Sequence, residues 1–480
     1  MSTPNRARDA SVALRRFGLG ARPGEIARIT SDPRGFVVSQ LSQGAAVKLD
    51  DPDLDSSNVA LSNVQLGQAQ RRQAREAAQD ALRDNMKVPY PATGGEPPRM
   101  LAKTATRIRP GLMRGEVYQD EAAVRFDRMV TTDHGLLERL VLFWSNHFCV
   151  SSGKGNVRAI AGAFEREAIR PHVLGRFASM LEAVEMHPAM LIYLDNQLSI
   201  GPNSQAGKNR NKGLNENLAR EILELHTLGV GGGYSQDDVT NLARIIAGWT
   251  VGNLGQGAEA GQFIYLPQRR EPGTWSVAGK SYVNIGAVTG KEVLADLARH
   301  PATAKHVAVK LATHFVADPP PPALVAKLEK SFRDMDGDLA AVSKTLVTAE
   351  EAWAHPRTKM LPPNDFLVAL ARGLPFRQRP KSAEIVRLSN QLGQPLWNVP
   401  SPKGWPDTND AWAGPSALRE RLRIAEVVST QLDKDADPRA LAEDLIGPDL
   451  SEATREAVAR AEVKEQGFEL LMMSSEFQRR

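Results

Sequence analysis

Apolar residues recur three and four positions apart along nearly the whole of this chain, and glycines and prolines cut the pattern into short segments. A period near 3.6 residues gives each segment one apolar face, and that face must be buried against another element. The expectation is a mainly α fold, a large multi-helix domain whose helices cover one another. The exception is a small β-like and turn insertion near residues 255–288, where QFIYLP, GTWSVAGK and SYVNIG lose the helical period. At 480 residues the chain exceeds what one core usually serves, so two lobes or one large helical body with insertions is the expected scale.

Punctuation divides the chain further. Residues 1–44 read as N-terminal helices. Residues 45–114 read as a variable insertion, with one long helix from Gln65 to Asn85 and the Pro/Gly-rich loop VPYPATGGEPPR. Residues 115–250 form the expected central helical core, 251–290 the β-like segment and 291–480 a C-terminal helical region. Within the core, Asp133 is placed to cap the helix beginning DHGLLERL, and Pro171 and Pro188 end or kink helices.

Sixty Lys and Arg against 56 Asp and Glu leave a net charge of +4, too weak a field to point to a nucleic-acid partner. No stretch of about 18 apolar residues suggests a membrane span, and the first twenty residues hold no signal-peptide core, so a cytoplasmic location is expected. A single cysteine, Cys149, rules out an internal disulfide.

The densest polar pattern is ENLAREILELH, residues 216–226. On an ideal helix, at ~100° per residue, Asn217, Arg220, Glu221, Glu224 and Thr227 share one arc. Leu218, Ile222, Leu223 and Leu225 occupy the rest, and His226 sits among them, pointing away from the two carboxylates. Glu221 and Glu224, at i and i+3, are therefore the candidate catalytic pair. Two carboxylates on one face can hold a divalent metal with help from other segments, or can push each other's pKa values apart for acid–base work. The bland alternative is a solvated face with Arg220 paired to Glu216 or Glu224.

His147 lies on an almost wholly apolar helix beside Asn146. Two histidines on apolar faces, His147 and His226, each need a buried partner, because an unsatisfied ring nitrogen costs roughly 1 to 3 kcal/mol. That demand points to a buried polar network near these helices. Ser235 and Asp238 form a capping-box pattern, GVGGGYSQ reads as a helix terminator, and the loop GQPLWNVPSPKGWPDTNDAW is apolar enough to lie across the helical body and wall a groove.

RRFGLGARPGEI, LFWSNHFCVS, HPAMLIYLDN, NENLAREILELHTLGVGGGYSQDDVTNLARIIAGWT, RHPATAKHVAVKLATHFVAD and GQPLWNVPSPKGWPD, in this order, resemble the bacterial family called domain of unknown function 1800. Only about residues 45 to 110 match poorly. The resemblance implies a bacterial protein of undefined biochemistry whose relatives are often encoded beside a second family, domain of unknown function 1501, that resembles sulfatases and alkaline phosphatases. A member of that second family is the protein partner it implies; some relatives are exported. Where the family commonly carries His-Glu-Pro-Gly, this chain has Arg270, Glu271, Pro272 and Gly273, which removes one histidine ligand. Asn215, Glu216, Asn217, Arg220, Glu221, Glu224 and His226 match the family's densest motif. The sequence reading is thus a hydrolase with Glu221 and Glu224 as catalytic carboxylates, Asn215, Glu216, Asn217 and Arg220 binding substrate, and His226, His147 and Asn146 in support. The other class is a non-catalytic scaffold acting with the sulfatase-like neighbour.

Overall fold

The computed structural model describes residues 3–85, 114–210, 213–254 and 259–480. The loop expected at 88–99 lies outside them. Helices dominate, and one continuous apolar core runs from Ala10 near the start to Phe477 near the end. The scale question therefore resolves to one large helical body. The long helix is longer than expected, Ser57–Asn85.

Among the described residues the β-like segment yields two antiparallel two-stranded sheets. β1 (Trp249–Val251) pairs with β2 (Phe263–Tyr265), and β3 (Thr274–Val277) with β4 (Lys280–Val283). The β3–β4 turn is Ala278–Gly279, both at positive φ (48° and 80°), as a two-residue turn matched to strand twist requires. Four residues at most per strand leave these sheets as a cover on the helices.

The central layer positions the site. Helices Arg114–Thr131 and Gly135–His147 meet the turn Glu165–Ile169 through a buried ion cluster. Arg170 reaches both Glu138 oxygens at 2.8 and 2.9 Å and Glu165 at 3.1 and 3.2 Å, while Arg125 bonds Glu165 at 2.8 and 3.0 Å. Ser145 and the Trp397 indole donate to the same Glu165 carboxylate, at 2.9 and 3.2 Å. Four elements distant in sequence are thereby locked around one anion, and the tryptophan loop is pinned over the Gly135–His147 helix.

Two local expectations resolve differently. The Ser235 capping box forms, with Asp238 bonded to the Ser235 N–H at 2.7 Å. The Asp133 cap does not: Arg22 holds the Asp133 carboxylate at 2.6 Å, and the residue before the Gly135–His147 helix is His134, with no side-chain cap. A long-range ion pair outcompetes the local cap.

Candidate functional site

The helix carrying the polar motif begins regularly at Asn217–Glu221 and widens into a π-type turn over Ile222–His226. Such turns are uncommon and often accompany functional positions. The widening invalidates a projection made at constant angle: Glu221 and His226 become one wide turn apart, and the two side chains interact electrostatically. A projection at a regular period therefore does not carry across this turn.

His226 is buried, and its Nδ1 lies 2.7 Å from Glu185 Oε1, a carboxylate with no solvent exposure. His147, also buried, donates from Nε2 to the His226 carbonyl at 3.1 Å, and His306 donates from Nε2 to the Leu225 carbonyl at 3.0 Å. The expected buried network therefore exists, with Glu185 supplying the acid. His147 Nδ1, His226 Nε2 and Glu185 Oε2 are buried without a hydrogen-bond partner among the described residues. Burial holds His147 well below the ordinary imidazole range, with Lys310 and the other two histidines adding to the effect, and burial lowers His306 to about 4. Both rings are neutral near pH 7.

The helix Pro301–Phe315 packs along Gly135–His147, with His306 5.9 Å from His147 and His314 5.4 Å from Phe143, ring to ring. Lys310, four residues from each of those histidines, is thereby set between them. It is half-buried, and its ammonium makes no hydrogen bond or ion pair among the described residues. Burial lowers its pKa, against the opposing fields of Asp407 and Cys149. His314 Nδ1 bonds Asp407 at 2.9 and 3.1 Å, and Lys359 donates to the Asp407 carbonyl at 2.5 Å. Burial alone would raise the Asp407 carboxyl, but His314, Lys359 and Lys310 outweigh it and the net shift is downward.

Of the sequence candidates, Glu221 is half-buried and accepts no side-chain hydrogen bond from the described residues. Burial raises its pKa; His226 opposes this and the Glu224 charge adds to it. Glu224 is half-buried and accepts from Tyr234 at 3.1 Å. Cys149 feels both Lys310 and Glu221, and burial pushes its thiol up to about 12; Tyr193, raised by burial, feels Cys149 and Glu221. A seam of ionisable groups thus runs from Glu221 past Cys149 to Lys310 and Asp407. Asn146 borders it, holding Trp405 by paired bonds of 2.8 and 2.7 Å. A cavity of about 80 Å³ adjoins, lined by Ser145, Asn146, Cys149, His314, Trp405 and Asp407 among others. The tryptophan loop does wall a groove.

The remaining motif residues turn outward. Glu216 accepts from Arg220, Gln236 and Thr240 at 3.2, 2.9 and 2.8 Å, Asn215 accepts from the Asn217 N–H at 2.9 Å, and Asn217 is exposed. These bonds organise the start of the helix. Arg270 donates to the Asn284 carbonyl, and Glu271 is buried, accepting from Asn203. Among the described residues no three His, Cys, Asp or Glu side chains stand together as a metal cage. Sequence reasoning missed Glu185, His306, Lys310, His314 and Asp407. The four-residue spacing of His306, Lys310 and His314 is the signal that would have found three of the residues in this part of the seam.

No helix of the described residues is long and apolar enough to cross a membrane. No curated protein and no solved structure matches the chain. The family model described as Protein of unknown function (DUF1800) matches residues 12–479, nearly the whole helical body including every group in the seam, and the chain belongs to that family.

Proposed function

We propose that the protein is an enzyme of the hydrolase class working by general acid–base transfer, with Glu221 as the acid and Lys310 as the base. One observation carries the reading: two half-buried ionisable side chains of opposite type, both without hydrogen-bond partners, lie within electrostatic reach of the same Cys149. Burial favours the neutral form of each, which is the form an acid and a base need at neutral pH. Water would lose a proton to the Lys310 amine as its oxygen adds to the substrate, and the departing oxygen or nitrogen would take the Glu221 proton. The His226–Glu185 and His314–Asp407 pairs hold the walls in one orientation. Cys149 is a thiol at neutral pH and serves poorly as a nucleophile.

The test is a panel of chromogenic esters, phosphate and sulfate esters, glycosides and peptides, with wild type, Glu221→Gln and Lys310→Met. A substrate turned over by wild type and lost on the order of 10²–10⁴-fold in both variants, at a melting temperature no lower than that of wild type, supports the assignment. Full activity in either variant removes that residue's role.

A second reading, docking of a protein partner such as a member of the sulfatase-like family, has one observation in its favour. Val283, Ile285 and Val288 are 64, 66 and 51 % exposed in close succession, and clustered exposed apolar residues mark interaction surfaces. Val283→Ser with Ile285→Ser abolishes co-purification with that partner if the reading holds.

A further inference from the structure

On another part of the body, helices Pro363–Gly373, Ser382–Gln391 and Pro415–Ser429 leave an apolar groove of about 160 Å³. Leu367, Leu370, Phe376, Ile385, Leu388 and Val427 supply its walls. At one end it shares Pro380, Glu384 and Gln431 with an open hollow of about 430 Å³ lined by Arg377, Arg379 and Lys381. Phe376 and Arg379 also line a third hollow, with Arg22.

The charged side chains lining this groove are mainly basic, with Arg423 paired to Glu420 at 3.4 Å. Arg377, Arg379, Lys381, Arg387 and Arg423 line the groove or the adjoining hollow, and Glu384 is the one acid among those lining residues, 3.8 Å from Arg387. Arg377 is committed to the carbonyls of Thr430 and Gln431. Arg379 and Lys381 are exposed, and their side chains make no hydrogen bond or ion pair among the described residues. An apolar trough ending on two uncommitted cations is complementary to a molecule with an apolar chain and an anionic head. The trough holds about five water volumes at ~30 Å³ each, a scale that suits one acyl chain and is too small for a docked helix.

We propose that this groove binds a medium-chain acyl carboxylate, with its chain along Leu370, Ile385 and Val427 and its carboxylate on Arg379 and Lys381. The site is separate from the acid–base seam and stands or falls independently of it. Its function is recognition of a free fatty acid, as ligand or as regulator.

The experiment is calorimetric titration of the full chain with butanoate, hexanoate, octanoate and octan-1-ol. Binding should tighten about fourfold per added methylene until the groove is full, and octan-1-ol should bind at least about tenfold more weakly than octanoate. Val427 is 56 % exposed, so Val427→Glu should fold normally and abolish octanoate binding. Arg379→Glu should weaken it about tenfold. The proposal is overturned if octanoate fails to bind the folded chain, if octan-1-ol binds as tightly, if both variants bind unchanged, or if anionic phospholipid vesicles bind where octanoate does not.

Discussion

Replacing Glu165 by glutamine tests the buried ion cluster that positions the seam. Its carboxylate has almost no exposure and receives Arg125, Arg170, Ser145 and Trp397. Burial would raise its pKa, but the two guanidinium charges and the hydrogen bonds bring it down to about 2 from an ordinary 4.5. At 1.36 kcal/mol per pKa unit that difference corresponds to about 3 kcal/mol at neutral pH. Removing one partner of a buried pair costs ~3–5 kcal/mol by a separate route, so the two estimates agree. Because the folded pKa is depressed, this stability is complete above the unfolded value near 4.5 and is lost as pH falls through about 2. Unfolding entropy of ~2.1 cal/mol/K per residue over 480 residues turns about 3 kcal/mol into a fall of about 3 °C in Tm. Urea denaturation of wild type and Glu165→Gln at pH 7 and pH 3 reads both effects. The reasoning fails if the pH 7 loss is below about 1 kcal/mol, or if wild type and variant lose stability in parallel on acidification.

Three further outcomes follow from the same geometry. Glu221→Gln should gain stability relative to wild type between pH 4 and pH 8, since a carboxyl with a raised folded pKa is increasingly penalised as pH rises; melting curves across that range check the sign. Glu185→Ala strips His226 Nδ1 of its acceptor in a sealed interior and should cost about 1–3 kcal/mol in chemical denaturation. Gly404→Ala should destabilise by about 2–4 kcal/mol: φ is +81° and the added Cβ would lie 2.5 Å from the Asn146 carbonyl oxygen, a backbone atom that cannot swing aside.

Much of the architecture was legible. Helical periodicity, the weak β segment near 255–288, the Ser235 capping box and the need for a buried partner near His147 and His226 are local properties, and each appears in the fold. The polar arc was readable only in part. Glu221 and Glu224 turn half inward, yet Asn215, Glu216, Asn217 and Arg220 bond one another or nearby side chains at the outer face. A constant angular step could not anticipate the π-type turn that swings His226 toward Glu185.

The chain alone determined which faces are buried, because burial follows from the spacing of apolar residues within a single segment. Only the folded structure decided which buried polar groups meet. Glu185 and His226 are 41 positions apart, and Asn146 and Trp405 are 259. A partner at such a separation is chosen by how helices pack in three dimensions, and residue spacing along one helix carries no record of that choice.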